Sequence, residues 1–300
     1  MMQPIRLSTR NPGTTDQEVR AIVTSMYRDF DFRDYEAVLG STVRLFEGKM
    51  AGFAGCDTGY HDLSHTLSSL LATARLLHGV HISRQPISER IIHLCLIAAL
   101  FHDTGYIRRL GENKGTGAQF TRTHVQRSVD LLKADGACRQ WPQDDIQAMA
   151  SMIRCTDPAS APEAIYFESE EDRLGGHILA TADLLAQMAD DTYLEKLPML
   201  YAEFAEAGIA EFESEYDLFS QTMDFCQHMR RKMQGRLSNV MACMGDHFRQ
   251  RHGVARDLYS EAVDRNMNYL TLILQDYGED YRRGLRRNLD RKPMPVLVAA

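Results

Sequence analysis

The chain has 300 residues, of which 44% are hydrophobic and 25% are charged, and these fractions are ordinary for a soluble globular protein. The net charge of -7 and the pI of about 5.9 argue against a nucleic-acid-binding domain, which usually carries a basic field. A small nucleotide is still compatible with this charge as a substrate, because a bound metal can supply positive charge locally.

The N-terminus and the apolar runs bear on location. The first residues, MMQPIRLSTRNPG, contain no apolar segment of the kind found in secretory signals. The longest apolar run covers residues 94–101, whereas a membrane span needs about 20 apolar residues. The six cysteines form no C-x-x-C pair, and we expect buried free thiols in a reducing compartment. The sequence therefore predicts a cytoplasmic protein that engages no membrane, and it leaves a homodimer open.

Helical periodicity dominates the chain. Apolar residues recur on one face of segment 15–30, a short helix is expected at 41–51 behind Ser41, and segment 62–80 carries a stripe with a period of 3.6 residues. The helix from Ser88 to about Phe101 is apolar nearly all round, which is typical of a central, buried helix. Further helices are predicted at 121–134, 143–154, 174–189, 193–207, 216–237, 240–252 and 257–277. No segment shows convincing alternation with a period of two, so we predict an all-α fold.

Three short stretches place metal-competent side chains in or beside apolar segments. His61 and His65 are four residues apart, a spacing that puts both imidazoles on one face of a helix. His102 and Asp103 end the most apolar helix, and Asp183 lies inside another apolar helix. Polar groups at such positions carry a desolvation cost unless they have a partner, and a metal ion would be one.

Each of these signals is weak alone, but together they supply two imidazoles and two carboxylates. Imidazole favours zinc and other transition metals, and carboxylate also accepts magnesium or manganese. The sequence therefore predicts one tight divalent-metal site, with zinc, manganese, iron, cobalt and magnesium as candidate ions, and leaves a second ion open.

The order of these residues resembles that of the HD-domain metal-dependent phosphohydrolases, in which an H…HD…D series places HD at the end of an apolar helix. Residues 60–65, YHDLSH, are similar to the Y-H-N-x-x-H motif of the branch that includes the class I cyclic-nucleotide phosphodiesterases. Asp62 stands where that motif has asparagine, and Tyr106 stands where the H-D-x-x-H motif has its second histidine. The resemblance covers about residues 55–195.

The resemblance implies an HD-type helical bundle with additional C-terminal helices, and a role for each motif residue. His65, His102, Asp103 and Asp183 would hold the first metal, and Asp103 would bridge to a second. His61 would act as the general acid that protonates the leaving oxygen. The whole chain, 1–300, is then expected to form a single domain. Its metal-binding core would lie at about 55–195, helices at about 196–287 would pack on it, and the tail at 288–300 is expected to be disordered.

Further candidates lie around this motif. His124 matches a histidine of the phosphodiesterase branch and would ligate a second metal or contact phosphate, and the alternative is a surface histidine. Arg108, Arg109 and Lys114 follow the HD motif and are candidates for phosphate contacts, with solvated loop charges as the alternative. The Glu-rich segment 203–217 is interpreted as a solvated helix face. The other seven histidines are interpreted as surface or satisfied core residues: His78, His81, His93, His177, His228, His247 and His252.

The sequence thus predicts a hydrolase in which a metal-activated water cleaves a small phosphomonoester or phosphodiester, expected to be a nucleotide. One alternative is an HD-type di-iron oxygenase. The other is a non-catalytic nucleotide sensor that uses the helices at 200–290 as its interaction surface. Selectivity resides in pocket walls that no local motif identifies, so the substrate stays unnamed.

Overall fold

The computed structural model describes residues 5–285, and this part of the chain contains eleven α-helices, five short 3₁₀ helices and no β-strand. The predicted all-α fold is therefore confirmed for the described residues. The tail predicted at 288–300 and the last two residues of the predicted C-terminal helices lie outside them. The α-helices, numbered in chain order, are α1 Pro12–Met26, α2 Arg33–Phe46, α3 Leu63–Ser83, α4 Glu89–Phe101, α5 His124–Cys138, α6 Gln143–Arg154, α7 Glu170–Met188, α8 Tyr193–Glu206, α9 Glu215–Gly235, α10 Met244–His252 and α11 Leu258–Tyr277.

Helices α3, α4 and α7 form the centre of the molecule and pack against one another. The middle of α3 and nearly the whole of α4 are buried, as the all-round apolar pattern of α4 predicts. Both helices begin at a side-chain cap: the Asp62 carboxylate accepts from the His65 N–H, and the Ser88 hydroxyl accepts from the Ile91 N–H. The Asp62 cap therefore fixes the first turn of α3, in which His65 lies.

The C-terminal helices pack onto this centre. Helix α10 contacts α3, and α11 contacts α7 and α8. A single hydrophobic cluster includes residues from Ile5 to Tyr281. The 3₁₀ helix Val240–Cys243 also contacts α3 and α7, so the described C-terminal helices share their core with the helices that carry the predicted ligands.

The predicted boundaries of two helices near the N-terminus are wrong. The helix placed at 41–51 runs from Arg33 to Phe46, so Ser41 lies inside it rather than at its cap. The residue at its N-cap is Phe32, which makes no side-chain cap hydrogen bond. The sequence therefore contains no capping residue that would have predicted this helix start. Helix α1 ends at Met26, four residues earlier than predicted.

None of the helices within residues 5–285 is long and apolar enough to cross a membrane. All six cysteines are free thiols, as predicted. Four of them are buried, but Cys56 is half-buried and Cys138 is exposed, so burial was wrongly predicted for Cys138.

Candidate metal centre

Four predicted ligands meet where three helices converge. His65 lies in the first turn of α3, His102 caps the C-terminus of α4 and Asp103 follows it, while Asp183 lies in the middle of α7. All four side chains are buried, with residue exposures of 1% to 6%. The structure therefore brings together residues that are up to 118 positions apart in the sequence.

The donor atoms point at one another. The distance between His65 Nε2 and His102 Nε2 is 3.3 Å, and Asp183 Oδ1 lies 2.9 Å from the first and 3.4 Å from the second. Two nitrogens bound to one tetrahedral zinc ion at about 2.0–2.1 Å would be separated by about 3.3 Å. His65, His102 and Asp183 thus form a buried group that could hold a metal ion.

Asp103 completes the arrangement. Its Oδ2 lies 3.2 Å from His65 Nε2 and 3.3 Å from His102 Nε2. The same buried oxygen has no hydrogen bond of acceptable geometry within the described residues. Buried polar atoms are nearly always hydrogen-bonded, and a carboxylate oxygen aimed between two imidazole nitrogens fits a metal ligand.

Neighbouring groups orient the ligands. His102 Nδ1 lies 2.8 Å from the Ala99 carbonyl oxygen, to which it donates, so the lone pair of Nε2 is left for a metal. Asp183 Oδ1 accepts from Ser69 Oγ and from Gln187 Nε2, both at 3.2 Å. Hydrogen bonds of this kind fix the rotamers of metal ligands and tune their affinity.

The electrostatics of the cluster also indicate a cation. Burial alone lowers the pKa of the His65 imidazole, but the adjoining Asp103 and Asp183 carboxylates more than offset it and raise that pKa to about 9. The same carboxylates raise the pKa of His102. Conversely, although burial raises the pKa of Asp183, hydrogen bonds from His102 and His65 hold it well below its usual range. Without a metal, protons bound by the His65 and His102 imidazoles therefore balance the negative charge of the two carboxylates.

His61 lies beside the cluster, but not on the predicted helix face. It precedes the Asp62 cap of α3, so the expectation that His61 and His65 share a helix is wrong. The two rings are nevertheless close, with centroids 5.9 Å apart and planes at 87°. The Asp62 cap also accounts for the departure from the Y-H-N-x-x-H motif, because an aspartate and an asparagine oxygen accept the capping hydrogen bond equally well.

Glu203 of α8 is the main site residue that sequence reasoning missed. Its Oε2 lies 2.6 Å from His61 Nδ1, and its Oε1 accepts from the Tyr60 N–H at 2.7 Å and the His61 N–H at 3.3 Å. Glu203 is only 4% exposed, so the interpretation of segment 203–217 as a solvated face is wrong at its first residue. Glu203 and His61 are 142 positions apart in the sequence, so no local sequence pattern predicts their contact.

His124 approaches the cluster from the other side of Asp103. Its Nδ1 donates to the Thr121 carbonyl at 2.7 Å, and its Nε2 lies 3.7 Å from Asp103 Oδ1. Burial lowers the pKa of His124, which favours the neutral imidazole that ligates metals. Tyr106 stacks on both His61 and His124, with centroids 4.5 Å apart in each case. The two oxygens of Asp103 therefore face different histidines.

The approach of α5 to this site depends on Gly105. A Cβ atom at that position would lie 2.0 Å from the His124 carbonyl oxygen and 2.9 Å from Arg127 Cβ. The Gly105 N–H donates to Ser128 Oγ at 2.8 Å, and its carbonyl accepts from Arg127 Nε. Glycine is thus required where the chain after the HD motif meets the start of α5.

The predicted phosphate-contacting cations lie around the loop that follows the HD motif. Arg108 Nη2 pairs with Asp57 Oδ2 at 2.6 Å, and Nη1 of the same guanidinium donates to the Glu112 carbonyl. Arg109 and Lys114 are exposed. None of the three makes a hydrogen bond or an ion pair with the four-ligand cluster. Another cation is Lys196, which pairs with Asp190 at 2.7 Å and lines a cavity that His65 also borders.

Comparisons with known proteins cover part of this site. A protein-family model described as Npun_R2479-like matches residues 16–139. The matched segment contains His61, His65, His102 and Asp103, whereas Asp183 lies beyond it. No curated protein and no solved structure matches the chain. The similarity therefore extends over less than half of the chain and includes three of the four clustered ligands.

Proposed function

We propose that the protein is a divalent-metal-dependent phosphohydrolase that acts on a small phosphomonoester or phosphodiester, with a nucleotide as the expected substrate. The observation that carries the proposal is an imidazole held by a buried carboxylate, His61 with Glu203, directly beside the four-ligand cluster. A site that only binds a metal has no use for a separately oriented proton donor, but ester cleavage requires one for its leaving oxygen.

His65, His102, Asp103 and Asp183 would hold the metal. When bound there, a divalent cation would supply Lewis-acid stabilisation of the phosphoryl oxygens and would acidify a water. Glu203 Oε2 accepts the Nδ1–H of His61, which directs the second ring proton to Nε2. That proton passes to the leaving oxygen, and the Glu203 carboxylate stabilises the imidazolium before the transfer.

The test is metal analysis of the purified full-length chain, followed by assays on a panel of phosphate esters with added manganese, cobalt, zinc or magnesium. His102→Ala should lose both bound metal and turnover. His61→Ala should keep its metal while turnover falls by about 10²- to 10⁴-fold, the usual contribution of a general acid. Full activity of the His61→Ala protein would contradict the role of His61, and absence of bound metal in the wild type would contradict the proposal as a whole.

A di-iron oxygenase is the second candidate. It would need a second ion, for which His124 beside Asp103 Oδ1 offers a ligand. A two-metal hydrolase would use the same residues, so the identity of the bound metals separates the two candidates. Two irons per chain together with oxygen consumption would support this reading. Turnover of phosphate esters with manganese, cobalt or magnesium would support hydrolysis. Tight nucleotide binding without turnover of any ester in the panel would instead support the nucleotide sensor.

A further inference from the structure

A second cluster of nitrogen-bearing side chains lies far from the metal centre. Arg75 and His78 are near the C-terminal end of α3, and His247, Arg251 and His252 come from α10, which packs against α3. Along α3, His78 is about 20 Å from His65 at 1.5 Å per residue. The second cluster is therefore separate from the candidate catalytic site.

The two arginines lack an acidic partner. Arg75 is only 3% exposed, and its guanidinium donates to Tyr259 Oη at 3.0 Å and lies near the rings of Phe248 and Tyr259. Arg251 donates to the Ala21 carbonyl. Within residues 5–285, neither guanidinium has a carboxylate oxygen within 4.0 Å. A buried guanidinium without a counter-charge is costly, because its desolvation is not repaid.

Four buried nitrogens of this cluster lack a hydrogen-bond partner within the described residues: Arg75 Nε, Arg251 Nε, His247 Nε2 and His252 Nε2. His247 is fully buried, and its other ring nitrogen lies 3.3 Å from His78 Nδ1. More than nine in ten buried polar groups in proteins find a partner. The side chains are neighbours, since the His247 and His252 ring centroids are 5.9 Å apart and the positive charges of Arg75 and Arg251 act on His247. Four orphaned nitrogens on neighbouring side chains indicate a shared missing acceptor rather than four independent defects.

The charges around the cluster specify the kind of ligand. Burial lowers the pKa of His247, and the positive charge of Arg75 lowers it further. The nearby carboxylates, Glu18 and Asp257, are both beyond ion-pair distance of the two arginines. The titratable and charged groups that face the cluster are Glu18 from α1, Arg75, His78 and His81 from α3, His247, Arg251 and His252 from α10, and Asp257 and Tyr259 from the start of α11.

A cation is a poor occupant, since two guanidiniums repel it. Moreover, the one group of His, Cys, Asp and Glu residues within the described chain that is compact enough for a metal is that of His65, His102 and Asp183. An oxyanion, in contrast, offers acceptors to all four nitrogens. Guanidinium and imidazole N–H groups are established donors to phosphate oxygens.

We propose that Arg75, His247, Arg251 and His252 form a binding site for a small oxyanion, of which inorganic phosphate is the simplest. The anion accepts hydrogen bonds from the orphaned nitrogens and neutralises the two arginines. Because it lies between α3 and α10, it links the helix that carries His65 to the C-terminal part of the molecule. This site does not depend on the proposed hydrolase activity.

The test measures the thermal unfolding midpoint of the metal-free, full-length protein in phosphate and in chloride at equal ionic strength. Removing metal with a chelator excludes phosphate binding through a cation at the catalytic site. A ligand present at 100 times its Kd should raise the midpoint by about 4 °C for a chain of this size. Titration of phosphate by calorimetry gives the Kd and the stoichiometry, for which we expect one phosphate per chain.

Two variants on the accessible side of the cluster, Arg251→Gln and His252→Gln, should each lose most of the phosphate-dependent shift. Arg249→Gln is the matched control, since it removes one positive charge from the same helix at an exposed position. It should retain the full shift. An unchanged shift in both cluster variants, or the same loss in the Arg249→Gln protein, would overturn the proposal. So would the absence of a shift in the wild type.

Discussion

At the scale of residues, three histidines of the candidate site are held in the same way. His102 and His124 each donate Nδ1–H to the carbonyl three residues earlier, and His61 donates Nδ1–H to Glu203. In each case Nδ1 is the donor, so Nε2 is the ring nitrogen that remains for a metal or for proton transfer. The sequence singled out these three imidazoles as candidates, but the tautomer of His61 is set by Glu203, which only folding brings to it.

Glu203→Gln tests the role of this carboxylate. The amide has one accepting oxygen, so it cannot accept from both His61 Nδ1 and the backbone N–H groups of Tyr60 and His61, and it cannot stabilise the imidazolium. We therefore expect turnover to fall by about 10- to 100-fold with bound metal unchanged. The measurement is kcat together with metal content. Glu206→Gln, one helical turn further along α8, is the control: its carboxylate binds Thr116 rather than His61, and turnover should be retained. Equal losses in the two variants would argue for a general effect on α8.

The pKa values of the ligands predict a pH dependence. Because the folded-state pKa of His65 is raised to about 9, its pairing with Asp103 and Asp183 stabilises the metal-free protein fully below pH about 6.5. That stabilisation is lost as pH rises towards 9. A metal replaces the proton, so the difference in Tm between metal-loaded and metal-free protein should widen from pH 6.5 to 9. A difference independent of pH would contradict proton–metal competition at His65.

At the scale of elements, the candidate site depends on where helices start, end and touch. The ligands come from the first turn of α3, the C-terminus of α4 and the middle of α7, and these are the most buried helices of the chain. The all-round apolar pattern predicted that α4 is central. It did not predict that α8 would bring Glu203 to His61, since that contact depends on the direction of the loop between α7 and α8.

Gly105→Ala tests the close approach of α5. The added methyl group would collide with the His124 backbone, so the start of α5 must move away from Asp103, at a cost of about 1–3 kcal/mol in unfolding free energy. Chemical denaturation measures this loss. Gly235→Ala is the control, because no atom lies within 4 Å of its added Cβ, and it should be neutral or slightly stabilising. Equal stability of the two variants would show that α5 shifts without cost.

At the scale of the whole molecule, the C-terminal helices extend the same core and add polar groups to it. Helix α10 places His247 against His78 of α3, and both imidazoles are buried. The interpretation as a satisfied core residue fits His78, but it fails for His247, because His247 Nε2 has no hydrogen-bond partner within the described residues. Local sequence gave no reason to pair residues 169 positions apart.

The burial of His78 predicts sensitivity to acid. Burial, aided by Arg251, lowers the pKa of His78 to about 4, so the unfolded chain binds a proton between pH about 6.5 and 4 that the folded one does not. Stability should therefore fall as pH drops through this window, by up to about 3 kcal/mol from His78. His78→Leu should flatten the dependence, measured by urea unfolding in chloride buffers, and His228→Leu on an exposed face should not. An unchanged slope in His78→Leu would locate the acid sensitivity elsewhere.

The sequence by itself determined the all-α architecture, the central position of α4 and the residues that meet in the candidate metal cluster. These features are encoded in helical periodicity and in polar residues placed within apolar segments, and both are local. Tertiary structure alone decided the partner of His61, the position of His124 beside Asp103 and the basic cluster between α3 and α10. Each of these depends on which helix faces which, and that is set by packing of the whole core rather than by any single segment.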